Sequence, residues 1–165
     1  MNIKFCLESH IPLRFREKII RAGYAAIAAP LHVPDERVMS ASKSYDAPLI
    51  THDVLDFLVL AATTSSYPGL IFPPIYGGQF RDAQFDRVET AFLQWLSVRP
   101  SISFAGKITV ITRKSDIIIF PFDAANVNQP HIPDILGRKK PERKLPFESA
   151  IRYWQKLIRD VQAGR

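Results

Sequence analysis

A single cysteine stands among the 165 residues. One thiol cannot close an internal disulfide, and Cys6 lies inside an apolar run, so it reads as a small buried hydrophobe. Long hydrophobic runs are missing too: no stretch approaches the roughly 20 apolar residues that span a bilayer. The N-terminus turns acidic at Glu8, too early for a secretory leader. Together these absences predict a cytoplasmic chain with no membrane partner. No internal repeat is visible, which argues against a stacked array. Net charge is scarce over most of the chain. Residues 1–124 hold 13 Lys/Arg against 12 Asp/Glu, whereas residues 125–165 hold 9 against 4. The net charge of +6 therefore sits almost wholly near the C-terminus. A basic end on a neutral body suits an anionic partner such as RNA, or an acidic protein. It equally suits a solvated surface.

What is present is apolar: 47% of residues are hydrophobic, and the length fits one domain with a full core. Residues 2–7 read as a first strand, closed by Glu8-Ser9-His10. Pro12 opens a helix carrying Leu13, Phe15, Ile19 and Ile20 on one face, and Gly23 ends it. Tyr24 to Ala29 reads as an Ala-rich second strand. Asp35 is expected to cap a helix through about Ser44, with Val38 and Ala41 inward. Leu49 to Thr51 is a third strand, and Asp53 begins a helix to about Ala62. Leu70 to Phe72 is a fourth strand. Phe80 to Ser97 is a helix with Phe85, Val88, Phe92 and Trp95 as its buried stripe. Lys107–Thr112 and Ile117–Phe120 form a closing hairpin. This alternation predicts an α/β fold: a mostly parallel, doubly wound sheet with helices on both faces and an antiparallel edge.

Three segments are expected: residues 1–122 as the α/β domain, 123–146 as a basic, Pro-rich arm, and 147–165 as an amphipathic helix. The arm carries Arg138, Lys139, Lys140, Arg143 and Lys144, the candidate nucleic-acid contacts. The helix has Phe147, Ala150, Ile151, Trp154, Leu157, Ile158 and Val161 at helical spacing. It can pack on its own body, on a second copy, or on another protein; a homodimer is the expected assembly.

Candidate chemistry lies in the acids at strand-to-helix junctions: Glu8, Asp35, Glu36, Asp53 and Asp56. In an open α/β sheet that edge is where ligands bind. Clustered carboxylates repel unless a cation sits among them, and oxygen ligands suit Mg²⁺ or Mn²⁺. Such an ion activates water and stabilises charge on a phosphodiester. The structural alternative is that Asp53 caps a helix and Asp56 complements its dipole. His10 and His52 flank the site as hydrogen-bonding groups or ligands.

In order, the chain shows Glu8-Ser9-His10-Ile11-Pro12 after a strand, Asp35-Glu36 at a helix start, and Thr51-His52-Asp53 with Asp56-Phe57. Pro68-Gly69 then precedes an apolar strand, and Gly106 to Ile111 opens a hairpin. Over about residues 2–120 this resembles the short branch of PIN-domain-like nucleases, several of which belong to toxin–antitoxin pairs. The resemblance implies a metal-dependent ribonuclease, with Glu8, Asp35, Asp53 and Asp56 holding Mg²⁺ or Mn²⁺ and Glu36 assisting. It implies that Thr51 or Ser9 orients water or phosphate. RNA is then the substrate, with an antitoxin or other protein as partner. The chain departs from the family pattern at Glu8, where the family has Asp, at Ser9 and His10, where it has Glu and Asn, and by one extra residue between Asp53 and Asp56. These departures keep open a second class, a PIN-like body that binds or assembles without cleaving. A third class, a phosphoacceptor switch domain, would use Asp53 with Lys107.

Overall fold

The computed structural model describes residues 3–75, 81–125, 127 and 145–163. The described residues form β1 (Lys4–Leu7), α1 (Leu13–Arg21), β2 (Ala25–Ala28), α2 (Asp35–Ser44), β3 (Leu49–Ile50) and α3 (Val54–Thr63). They continue as β4 (Leu70–Phe72), α4 (Asp82–Ser97), β5 (Lys107–Ile111), β6 (Ile117–Pro121) and α5 (Phe147–Gln162). The strands form one sheet in the order β2-β1-β3-β4-β5-β6. β1 to β5 are parallel, and β6 returns antiparallel along β5 with Val110 opposite Ile118.

Side chains alternate across the sheet, as strand geometry requires. Cys6, Leu49, Leu70, Phe72, Ile108 and Val110 face one way and meet α2, α3 and α5. Phe5, Leu7, Ile50, Ile71 and Ile111 face the other way and meet α1 and α4. Both faces of the central strands are covered, and β3 and β4 are apolar and buried throughout. At the entrance to β4, Gly69 has φ +120°, and a Cβ there would lie 2.3 Å from the Phe104 carbonyl oxygen. Only glycine fits between these backbones.

The crossovers are not uniform. β2→β3, β3→β4 and β4→β5 step the same way across the sheet, yet α2 and α3 lie on one face and α4 on the other. The α4 crossover therefore has the opposite hand to the two before it, although about 98% of such units are right-handed. α5 packs against α3 and β5, in the place that the usual hand assigns to α4. Trp154 is its anchor, fully buried, stacked on Phe120 at 5.0 Å and edge-on to Phe122 at 5.3 Å. The C-terminal apolar stripe thus packs on its own body.

The helices differ from expectation in detail. In α1 only Phe15 and Ile19 are buried, while Leu13 and Ile20 are exposed. α2 is capped by Pro34, and Asp35 is its first helical residue, with no side-chain cap bond. In α4 the buried stripe is Phe85, Val88, Glu89, Phe92 and Leu96. Trp95 is half-exposed, stacked on Phe92 and covered by the Arg99 guanidinium at 4.6 Å. Glu89 takes a buried place because α1 offers it Lys18 Nζ at 3.2 Å and Arg14 Nε at 4.0 Å. Burial still pushes its carboxyl above the ordinary range, and Lys18 opposes that push.

Candidate metal centre

Between β1 and β3 the chain reverses its direction of travel across the sheet. The first connection runs outward to β2, and the later ones run the other way. Diverging connections leave a crevice at the C-terminal edge, the usual ligand position in such sheets. Glu8 N–H donates to Ile50 O at 2.9 Å, and Thr51 N–H donates to Ile71 O at 3.0 Å, so the loops after β1 and β3 leave the sheet side by side.

Thr51 is fully buried, and its Oγ1 accepts the Asp53 N–H at 3.0 Å. That bond makes the turn in which Asp53 becomes the N-cap of α3. Asp53 Oδ1 then accepts the Asp56 N–H at 3.4 Å. α2 packs beside α3, so its first residue, Asp35, arrives at the same place. One carboxylate oxygen each from Asp35, Asp53 and Asp56 lies within 4.8 Å of the others. No ion pair among the described residues reaches any of the three. Burial raises the carboxyl of Asp35 above its usual value, and the charges of Asp56, Glu8 and Glu36 raise it further. Asp53 is raised by burial and then by Asp56. The positive ends of α2 and α3 offset part of this repulsion.

The donor set is all carboxylate oxygen, which suits a hard divalent ion. Oxygens at about 2.1 Å from Mg²⁺ lie roughly 3–4 Å apart, so the three must close slightly. Asp53 and Asp56 are exposed, and rotation of their carboxylates supplies that movement.

Glu8 stands outside this group. Its Oε1 accepts Ser9 Oγ–H at 2.9 Å and pairs with His10 Nδ1 at 2.8 Å, and its Oε2 accepts the His10 N–H at 3.1 Å. The four expected carboxylates therefore become three that meet and one that faces its own loop. Thr51 Oγ1 accepts a backbone N–H within its own turn, and Ser9 gives its hydroxyl hydrogen to Glu8. His52 packs edge-on to Phe85 at 6.2 Å, and burial lowers its ring to about 4, so it is neutral near pH 7. Its Nε2 is buried without a hydrogen-bond partner among the described residues. Lys107 lies at the start of β5, at the opposite edge, with Nζ on Ser103 O at 3.1 Å. That position removes the lysine from the phosphoacceptor arrangement. Arg138, Lys139, Lys140, Arg143 and Lys144 lie outside the described residues.

Two features were not readable from the sequence. Phe85 lies under both the Arg14 guanidinium, at 5.5 Å, and His52, tying α1, α4 and the β3–α3 turn together at the rim. Leu13, Leu31, Leu55 and Ile75 are exposed, and each follows one of the strands β1 to β4 at this same edge. An open groove of about 590 Å³ lies at the other edge, against Lys4, Tyr45, Pro48, Pro68 and Phe104, away from the carboxylates. No protein-family model matches the chain, and neither the curated proteins nor the solved structures contain a match.

Proposed function

We propose that this chain is a Mg²⁺- or Mn²⁺-dependent endoribonuclease of PIN-like type. The observation that carries the reading is the convergence of Asp35 with Asp53 and Asp56, from two helix starts, with no ion pair to them among the described residues. These three residues would hold the ion, which supplies water activation and charge stabilisation on a phosphodiester. The exposure of Asp53 and Asp56 suits a polymer substrate, and the basic residues 138–144 suit its phosphates. A role as the toxin of a toxin–antitoxin pair rests on the resemblance. The exposed aliphatics that follow β1 to β4 at the same sheet edge are what a protein partner such as an antitoxin would cover. In the test, single-stranded RNA is incubated with the purified chain in millimolar Mn²⁺. Cleavage is expected with Mn²⁺, is lost in chelator, and is abolished by Asp53→Asn. Absence of both cleavage and Mn²⁺ binding ends the proposal.

One observation favours a second reading, a PIN-like module that binds or assembles without cleaving: Glu8 is committed to Ser9 and His10 and does not complete the cluster. Such a module would act through its basic arm, and a homodimer would form by exchanging α5 between copies. Mn²⁺ binding with no cleavage, and elution at twice the monomer mass, would select it.

A further inference from the structure

The loop after β1 holds a carboxylate–imidazole pair that the metal cluster does not use. Three donors converge on Glu8: Ser9 Oγ–H, the His10 backbone N–H, and the His10 ring at Nδ1, 2.8 Å from Oε1. The Glu8 carboxylate is held in place and only 8% exposed, whereas the His10 side chain is 80% exposed. A fixed acceptor at Nδ1 selects the ring form with hydrogen there, and it leaves Nε2 for other work. His10 also stands within electrostatic reach of the cluster. The charged and titratable groups around it are Glu8 from its own loop, Asp35 from α2, and His52 from the β3–α3 turn.

We propose that His10 is the proton donor of the proposed hydrolytic site, and that Glu8 is its positioning residue and not a fourth metal ligand. This rests on the nuclease reading. Ionised aspartates only accept hydrogen bonds, so they cannot protonate an alkoxide leaving group. Histidine is the side chain that carries a transferable proton near neutral pH. In the step, a water oxygen bonds to phosphorus while the bond from phosphorus to the leaving oxygen breaks. The electron pair stays on that oxygen, and the doubly protonated His10 ring gives it the Nε2 proton, which leaves the neutral ring with its hydrogen on Nδ1, facing Glu8. The proton lost by the water passes to solvent, and solvent reprotonates His10. One water and one phosphodiester become a phosphomonoester and an alcohol. The Glu8-Ser9-His10 departure from the family pattern thereby exchanges a metal carboxylate for a proton donor.

The experiment compares wild type, His10→Ala, Glu8→Gln and Asp53→Asn as full chains. The substrates are RNA and bis(p-nitrophenyl) phosphate, whose leaving group needs no proton. His10→Ala is expected to lower kcat on RNA by about 10²–10³ with KM within about twofold. Its loss on the activated diester is expected to be under about threefold, free imidazole should restore part of the RNA rate, and the alkaline fall of the pH profile should flatten. Glu8→Gln is expected to lower RNA turnover by about tenfold. In metal-free protein, nitrogen NMR should place the neutral ring hydrogen on Nδ1 in wild type and move it in Glu8→Gln. Mn²⁺ affinity of His10→Ala, followed by electron paramagnetic resonance, should stay within about twofold of wild type. Equal loss on both substrates, or a tenfold loss of Mn²⁺ affinity, overturns the proposal. Cleavage lost only in Asp53→Asn sinks the His10 role alone. A wild type that cleaves neither substrate sinks the nuclease reading and this role with it.

Discussion

Asp53 has two tasks that substitution can separate. As N-cap it accepts the Asp56 N–H, and as a carboxylate it stands against Asp35 and Asp56. Asparagine keeps the cap and removes the charge. In chelator, Asp53→Asn is expected to match or exceed wild-type stability by a few tenths of a kcal/mol, the scale of a relieved like-charge pair. Asp53→Ala also loses the cap and should fall by about 1 kcal/mol. Neither variant should gain stability from Mn²⁺, whereas wild type should. Urea unfolding with and without the ion reads all three, and an Asp53→Asn that Mn²⁺ stabilises as well as wild type removes Asp53 from the cation site. The cap was legible because Asp53 stands directly before an apolar run. The meeting with Asp35 was legible only as a topological expectation. The loss of Glu8 from the group was not, because its competing partners are the short-range donors Ser9 and His10, whose geometry spacing does not encode.

Among the elements, α5 is where packing decides most. Its stripe covers the sheet face that α4 leaves open, and Trp154 fills the space between Phe120 and Phe122. Trp154→Ala is expected to cost about 3–5 kcal/mol. Removing residues 145–165 should leave a chain that exposes apolar surface and lacks a cooperative thermal transition. A truncated chain that melts cooperatively would mean the helix is an accessory. The order and type of strands and helices were readable, because β4 is three apolar residues after Pro68-Gly69 and α4 repeats Phe85, Val88 and Phe92 at helical spacing. The layering was not. Leu49-Ile50 and Leu70-Ile71-Phe72 are apolar on both faces, so no periodicity in the strands says which face each helix takes. The opposite hand of the α4 crossover, and the seat of α5, follow from that choice of face. Glu89 was missed because a carboxylate within a helical stripe looks solvent-facing until Arg14 and Lys18 are brought across from α1.

Whole-molecule stability should depend on pH through opposing groups near the rim. His52 binds its proton less readily in the folded chain, at about 4 against 6.5. A depressed histidine contributes stability that is present above 6.5 and lost as pH falls toward 4, on the order of 2–3 kcal/mol. Asp35, Asp53 and Glu89 act with the opposite sign. Their folded carboxyls are raised, so their contribution is complete below the unfolded value near 4 and is lost as pH rises through the folded values. Asp86 is lowered by Lys18, through its hydrogen bond and its charge, and follows the direction of His52. Among these groups His52 carries the large shift, so metal-free wild type is expected to lose stability between pH 6.5 and 4.5. His52→Gln cannot titrate, so it should lose that decline and gain slightly over the same interval as the raised carboxyls take up protons. With saturating Mn²⁺, protons compete with the ion for Asp35 and Asp53, so the stabilisation by the ion should fade as pH drops. Urea midpoints at half-unit pH steps, in chelator and in Mn²⁺, resolve these slopes. A decline that persists undiminished in His52→Gln would place the acid sensitivity elsewhere than at this rim.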